Sequence, residues 1–341
     1  MIINKNSLWN YKKVEETKID KVKKFYESCP FYCKTRLINP INNLYIKDES
    51  NRCGIGSFKI LGVGYAFLEL CKRRINAKIC DFYDIKEAAA NCKKMVYSAT
   101  DGNFGVAVSY WCFTIHIKSK IFVPRDIPTY YINLIKKYEG IIVYVDGGYD
   151  DCIAKAYMDS ELNGGLLLLD TETGNYNYGG NDVIDGYMIL FSEINYISYN
   201  YIFIQTGVGG LLAAAIRFYS SEEIENRPKI ISIEPYNYCT VMKSIQERKI
   251  CKVVYGDTII NGLKCGQVSH AAWNDIKDGL FASIRINDQE ALESYQQMKK
   301  YKINSSVTGA CGLVGAKELL KEVSDKKILV INTEGRKYAE C

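Results

Sequence analysis

Histidine is nearly absent from this chain, since His116 and His270 are the only two among 341 residues. A histidine-rich zinc site is therefore close to excluded, and a Ser-His-Asp triad would have to use one of these two side chains. His116 lies in an apolar stretch ahead of a predicted strand, and we expect it to be a core residue. Acid–base chemistry must then come mainly from carboxylates, lysine, tyrosine or a cofactor.

Long apolar runs and a strong charge of one sign are also lacking. No stretch approaches the roughly 18 apolar residues that a membrane helix needs. The net charge is +5, and the lysines and arginines are scattered along the chain. We therefore expect neither a membrane nor a nucleic acid as partner. The length suffices for two domains, each with its own core.

The 13 cysteines do not have the pattern of a disulfide framework, because their number is odd and no CxxC pair occurs. The first residues, MIINKNSLWNYKKVEE, carry charges where a signal peptide needs its apolar region. We expect a cytoplasmic and mostly reduced protein. A disulfide between Cys239 and Cys265 stays open as a possibility, because both lie near segments that we assign to the larger domain. A reducing compartment disfavours this bond.

Short apolar strands alternate with helices along most of the chain, which predicts parallel sheets with helices on both faces. The predicted strands are 44–47, 95–98, 120–123, 141–145, 166–169, 201–205, 229–234 and 327–332. The predicted helices are 19–26, 104–113, 128–138, 149–162, 186–196, 211–219, 288–300 and 309–321.

The segment 52–66, RCGIGSFKILGVGYA, places Lys59 just inside a predicted helix that Ser57 can cap. The helix macrodipole disfavours a cation at this position. Together with apolar surroundings, that field would lower the pKa of the amine and make it a nucleophile. A surface lysine with an exposed ammonium group is the alternative interpretation.

The segment 205–210, QTGVGG, follows a predicted strand and begins a helix. Its backbone amides can converge on a phosphate group, and its glycines allow a close approach. The segment lacks the trailing Lys-Ser/Thr of a P-loop and the acidic residue of a dinucleotide-binding fold. Alone, it indicates phosphate binding only weakly.

The run from Lys47 to Ala66 resembles the cofactor-lysine segment of the fold-type-II pyridoxal phosphate enzymes, in particular the diaminopropionate ammonia-lyase branch. That branch has the pattern KDES-R-(small)-GL-SFK-LGG-YA. Further matches follow in order, so that the resemblance covers 47–335. They are SATDGNFGVAV (98–108), LDTETG (169–174), QTGVGGL (205–211), SIEP (232–235), NGLKCG (261–266) and NTEGR (332–336).

This resemblance implies an α/β fold with two doubly wound domains, parallel-rich sheets and the cofactor, pyridoxal 5′-phosphate, in the interdomain cleft. The large domain would comprise 1–86 and 186–341, and the small domain 87–185. Relatives are homodimers that act on small amino acids, and we expect the same here.

The resemblance also implies roles for individual residues. Lys59 would bind the cofactor covalently, Asn103 would contact its 3′-oxygen and Thr333 would face its pyridine nitrogen. Amides around Thr100 and Gly102 would lie near the substrate carboxylate. The cofactor phosphate would be bound by Gly207, Val208, Gly209, Gly210 and Leu211.

Two carboxylates are implied as bases, Asp101 for the D-isomer of the substrate and Asp170 for the L-isomer. Each must reach the Cα hydrogen, with a pKa raised by burial. Asp101 as a turn residue or cap is the alternative. The sequence departs from the family where Phe104 replaces a histidine and where 172–176 replaces a tryptophan and an acidic loop.

The implied activity is the α,β-elimination of ammonia from 2,3-diaminopropionate, D or L, to give pyruvate and ammonia. One alternative is a serine or threonine dehydratase, or a β-replacement enzyme, of the same fold. Another is a non-catalytic member that binds the cofactor or a protein partner, although an intact Lys59 argues against it.

Overall fold

The computed structural model describes residues 1–4, 16–75, 78–92, 94–172, 179–253 and 256–335, which form an α/β fold. The described strands are β1 (Ile2–Ile3), β2 (Arg36–Ile41), β3 (Leu44–Asp48), β4 (Val96–Ala99), β5 (Ser119–Pro124), β6 (Ile141–Val145), β7 (Leu166–Leu167), β8 (Tyr201–Gln205), β9 (Lys229–Pro235), β10 (Ala282–Ile286) and β11 (Ile328–Asn332).

The described helices are α1 (Glu16–Ser28), α2 (Lys59–Arg74), α3 (Phe82–Asn91), α4 (Asn103–Thr114), α5 (Thr129–Lys137), α6 (Tyr149–Leu162), α7 (Gly180–Ser192), α8 (Gly210–Tyr219), α9 (Thr240–Glu247), α10 (His270–Gly279), α11 (Asp288–Lys300), α12 (Val307–Ala310) and α13 (Gly312–Glu322). None of the helices within these residues is long and apolar enough to cross a membrane.

The chain divides into two compact units. The first comprises Met1–Asp20, Cys33–Phe58 and Tyr187–Arg336. It contains a seven-stranded sheet in the order β1-β10-β9-β8-β11-β3-β2, in which the five central strands are parallel and the two edge strands are antiparallel. All five residues of β11 are buried, as expected for a central strand covered on both faces.

Within the described residues, the second unit comprises Lys21–Tyr32 and Lys59–Gly186. Its four strands are all parallel, in the order β6-β5-β4-β7. On one face Tyr97 and Phe122 pack with Ile153 of α6. Val96 and Ile121, which point to the other face, are also fully buried. Both faces of this sheet are therefore covered, which is the arrangement of a doubly wound fold.

The predicted α/β class with parallel sheets is confirmed, and all eight predicted strands are present. The bounds of β6, β8, α6 and α11 agree with the prediction. The prediction omitted β1, β2, β10, α3, α9 and α10, and it joined α12 and α13 into one helix. The predicted domain ranges, 1–86 with 186–341 and 87–185, stay a prediction.

The expectation that His116 is a core residue is wrong. His116 is exposed and has a left-handed backbone with φ 62°, in the turn between α4 and β5. Its neighbours Ile115 and Ile117 are buried instead. The apolar stretch is thus real, but the turn directs the one polar side chain outward. Cys239 and Cys265, the pair left open, are not joined by a disulfide.

Candidate active site

The chain that leads into Lys59 is paired with the end of β11. The amide of Phe58 donates to the carbonyl of Thr333 at 3.2 Å, and the amide of Gly335 donates to the carbonyl of Gly56 at 3.1 Å. Gly56 has φ +76°, and a Cβ there would lie 3.2 Å from a backbone oxygen, so the position favours glycine. These contacts fix the backbone directly before the candidate cofactor lysine.

A buried ion cluster also fixes the chain ahead of Lys59. Its members are Lys47, Glu49, Arg52 and Glu193. Arg52 Nε lies 2.6 Å from Glu49 Oε2, Arg52 Nη1 lies 2.8 Å from Glu193 Oε1, and Lys47 pairs with Glu193. Burial alone would raise the pKa of Glu193, but Arg52 and then Lys47 hold it below its ordinary value. Two cations and two anions cancel, which is the condition under which such buried charges are tolerated.

Lys59 is the first residue of α2, whose first turn is hydrogen-bonded from neighbouring helices. Trp111 Nε1 donates to the Ile60 carbonyl at 3.1 Å, and the hydroxyl of Tyr26 donates to the Leu61 carbonyl. Gly64 allows this packing, because a Cβ there would lie 2.2 Å from the Trp111 ring. The start of α2 is thereby held in place within the second unit.

The Lys59 amine contacts a carboxylate directly. Its Nζ lies 2.9 Å from Asp170 Oδ2, and the two side chains are 24% and 11% exposed. The hydroxyl of Tyr149 donates to Asp170 Oδ1 at 2.6 Å. Both oxygens of Asp170 therefore accept hydrogen bonds. The Lys59 Nζ also lies 5.9 Å from the ring centroid of Phe104, which stands where the resembled family has histidine.

Asp101 belongs to the same group of residues. The residue as a whole is exposed, but desolvation by the protein around its carboxyl group raises the pKa of that group to about 6. The Asp170 carboxylate raises this pKa further, and Lys59 lowers it. Of the three predicted catalytic residues, Lys59 and Asp170 are thus in contact, and Asp101 lies within reach of the charges of both, all in the second unit.

The loop between β4 and α4 is organised by Thr100. Its buried hydroxyl oxygen accepts from the amides of Gly102 at 2.9 Å and Gly105 at 3.0 Å. The Thr100 amide itself donates to the Phe122 carbonyl at 3.0 Å. The amides of Thr100 and Gly102 therefore already donate within the protein, and their role toward a substrate carboxylate stays a prediction. Asn103, the predicted cofactor contact, is the first residue of α4.

The candidate phosphate loop belongs to the first unit and connects β8 to α8. Gly209 precedes the helix with φ +98°, and a Cβ there would lie 2.6 Å from the Ile276 side chain. At Gly207 a Cβ would lie 2.8 Å from Cys265 Sγ. The amides of Gly210 and Leu211 lie in the first turn of α8, where the backbone N–H groups have no acceptor within the helix. A left-handed glycine at a helix start suits a phosphate monoester.

Thr333, which directly follows β11, is bound by a side chain of β8. Gln205 Nε2 lies 2.9 Å from Thr333 Oγ1, 2.7 Å from the Gly309 carbonyl oxygen and 2.9 Å from the Ile331 carbonyl oxygen. Gln205 and Thr333 are each 4% exposed. The predicted partner of the pyridine nitrogen is therefore oriented by a buried amide.

The roles of Tyr149, Gln205 and Glu193 were not predicted from the sequence. Tyr149 begins a helix just after a parallel strand, where active-site residues gather, but 27 tyrosines make each one uninformative. Most of the changed segment after Asp170, residues 173–176, lies outside the described residues, as does Arg336. Glu172 is described: it is buried, and its Oε1 accepts from the Asn181 amide at 3.3 Å.

A partly exposed lysine amine in contact with the Asp170 carboxylate suits a cofactor that forms a covalent bond to an amine, and the family comparison agrees. The pyridoxal-phosphate dependent enzyme family model matches residues 34–334, and the chain belongs to that family. The predictions of an enzyme and of pyridoxal phosphate as its cofactor are confirmed.

Among individual proteins, the chain is similar to a diaminopropionate ammonia-lyase of Salmonella typhimurium. The two are 27% identical over 290 residues, 77% of this chain and 71% of the relative. The crystal structure of the Escherichia coli diaminopropionate ammonia-lyase matches with a TM-score of 0.86 and 20% identity, over 98% of this chain and 94% of that chain. A threonine deaminase of Solanum lycopersicum matches with a TM-score of 0.78 and 19% identity, over 99% and 94%. Both structural matches bear on the fold.

Proposed function

We propose that this enzyme eliminates ammonia from 2,3-diaminopropionate and yields pyruvate and ammonia. The observation that carries the proposal is the contact of the Lys59 amine with Asp170, with Asp101 within reach of the charges of both. Two bases suit a substrate accepted as either stereoisomer, because each Cα hydrogen then has its own acceptor. The similarity to diaminopropionate ammonia-lyases supports the same substrate class.

The left-handed backbone of Gly209 and the partly exposed side chain of Lys59 support a fit of these residues to the cofactor. When bound, pyridoxal phosphate supplies the electron sink that makes a Cα hydrogen acidic. Lys59 would hold it covalently, the amides of the 207–211 loop would bind its phosphate, and Asn103 would contact its 3′-oxygen. The neutral hydroxyl of Thr333 would face its pyridine nitrogen, a partner that favours the unprotonated form of that nitrogen.

The carboxylates move the protons. Asp170 accepts the Cα proton of the L-isomer, and the hydrogen bonds from Lys59 and Tyr149 orient its carboxylate. Asp101 accepts the hydrogen of the D-isomer. Its pKa of about 6 suits a base that works near neutral pH.

The β-amino group leaves as ammonia once it has received a proton, which the carboxylate that took the Cα hydrogen can return. The released 2-aminoacrylate adds one water and loses a second ammonia to give pyruvate. One diaminopropionate and one water thus become one pyruvate and two molecules of ammonia. We expect a homodimer, as predicted from the resemblance.

The test is to incubate the purified enzyme, with added pyridoxal phosphate, with D- and L-diaminopropionate, D- and L-serine and L-threonine. We expect one diaminopropionate isomer to give pyruvate with a higher kcat/KM than serine or threonine shows. No pyruvate from either isomer would contradict the proposal, and 2-oxobutyrate from threonine as the main product would favour a dehydratase. The Lys59→Ala variant is the control for background reactions of the free cofactor.

A further inference from the structure

We propose that Gln205 is a positioning residue: by donating a hydrogen bond to Thr333 Oγ1, it makes this hydroxyl group a donor to the cofactor's pyridine nitrogen. This inference rests on the proposed role of Thr333 and adds a residue that determines the direction of its hydrogen bond. Both residues belong to the first unit, at the carboxyl ends of the neighbouring parallel strands β8 and β11.

The surroundings of Gln205 determine which way its amide group points. Its Nε2 lies within 2.9 Å of three oxygens, of which two are backbone carbonyls. The reversed amide would place Oε1 against those two carbonyls, which are acceptors only. The observed orientation is kept although Oε1 has no hydrogen-bond partner among the described residues. The two carbonyls therefore hold the amide nitrogen toward Thr333.

The amide nitrogen has two hydrogens for these three oxygens, so the hydrogen bond to Thr333 Oγ1 shares a hydrogen with one of the carbonyls. Because an amide nitrogen can only donate, Thr333 Oγ1 accepts in this contact. The Thr333 hydroxyl hydrogen is then left for an acceptor other than Gln205. The backbone of Thr333 is fixed as well, because its carbonyl accepts from the amide of Phe58, the residue before Lys59. One threonine thus has its carbonyl held by the chain leading to the cofactor lysine and its hydroxyl held by Gln205.

The amide of Gln205 also has little room to turn. A Cβ on Gly312 would lie 2.9 Å from Oε1, so the start of α13 packs closely on the amide oxygen. Gln205 directly precedes the segment 206–211 that contains the phosphate loop. Its side chain therefore links the strand that leads to the cofactor phosphate with the residue that faces the other end of the cofactor.

The test uses the holoenzyme reconstituted with pyridoxal phosphate labelled with ¹⁵N in the ring, and reads the ¹⁵N chemical shift of the bound cofactor. This shift reports whether the ring nitrogen is protonated, hydrogen-bonded or bare, and it requires no turnover. In the wild type we expect an unprotonated, hydrogen-bonded nitrogen. Thr333→Val should move the signal to that of a bare nitrogen, and Thr333→Ser should retain the wild-type position.

Gln205→Met replaces the hydrogen-bond donor with an apolar side chain of similar size. It should move the ¹⁵N signal in the same direction as Thr333→Val. In a Thr333→Val background it should have no further effect. Gln205→Leu, which also lacks the donor, should move the signal in the same direction and serves where the methionine variant does not fold. Gln246→Met, an exposed glutamine of α9, is the matched control.

The inference is wrong if Thr333→Val moves the signal and the Gln205 variants leave it at the wild-type position. It is also wrong if Thr333→Val leaves the signal at the wild-type position. That result would not contradict the proposed function, which is tested by pyruvate formation. A wild-type protein that binds no labelled cofactor, and forms no pyruvate, would instead overturn the proposed function and this inference with it.

Discussion

Lys59 Nζ and Asp170 Oδ2 lie 2.9 Å apart, and the hydroxyl of Tyr149 contacts the other oxygen of the same carboxylate at 2.6 Å. The amine that would bind the cofactor and the base that would serve the L-isomer are thus in direct contact. The charges of both groups affect the pKa of Asp101. Substitutions of these residues should separate their contributions.

Asp101→Asn and Asp170→Asn should separate the two stereoisomers of the substrate. An amide of the same shape cannot accept a proton, so each variant should lose about 10²–10⁴-fold in kcat on one isomer. Asp101→Asn should affect D-diaminopropionate and Asp170→Asn the L-isomer, with the other isomer within a few-fold of wild type. Initial rates of pyruvate formation measure this. Equal losses on both isomers in both variants would refute the division of labour.

The pH dependence for the D-isomer should follow the ionisation of Asp101. The base must be charged to accept a proton, so log kcat/KM should fall with unit slope below a pKa of about 6. The Asp170 carboxylate contributes to raising this pKa. In Asp170→Asn the acid limb should therefore move to lower pH. An acid limb that stays in place, or moves to higher pH, would contradict the pairing of the two carboxylates.

Tyr149→Phe should weaken catalysis on the L-isomer selectively. The change removes one hydrogen bond to the Asp170 carboxylate, and hydrogen bonds to charged groups contribute about 1.5–3 kcal/mol. We expect kcat/KM for L-diaminopropionate to fall about 10-fold or more, with the D-isomer within about 3-fold. Tyr144→Phe, on the exposed edge strand β6, is the matched control. A larger loss on the D-isomer would assign Tyr149 to another role.

Glu193→Gln should destabilise the first unit. The substitution leaves Lys47 and Arg52 buried with only Glu49 to balance them, and breaking a buried ion pair typically costs about 3–5 kcal/mol. Urea denaturation followed by circular dichroism should show a clearly lower midpoint. Glu247→Gln, on the exposed side of α9, should leave the midpoint unchanged. Equal midpoints for the two variants would show that the ion cluster contributes little to stability.

Much of the fold was predictable because its central strands are short apolar runs between turn residues. β6 and β8, for example, were predicted with their observed bounds. β2 was missed because its sequence, RLINPI, contains a proline and polar residues and resembles a loop. It forms only because β3 offers a partner. His116 was misplaced because an apolar neighbourhood does not reveal the direction of a turn.

The candidate site was predictable only where a motif carries it. Lys59, Asp101 and Asp170 lie in segments that resemble a family, and their grouping followed from that resemblance. The residues that were not predicted act through contacts with residues distant in the sequence. Tyr149 contacts Asp170 across 21 positions, Gln205 contacts Thr333 across 128, and Glu193 contacts Arg52 across 141. Local periodicity has no information about partners so distant in the sequence.

The central claim is that the Lys59 amine binds pyridoxal phosphate covalently. Reduction of the holoenzyme with borohydride, followed by proteolysis and mass spectrometry, tests it most directly. We predict one pyridoxyl group, on Lys59, and none in Lys59→Arg. A pyridoxyl group on a different lysine, or on none, would contradict the claim.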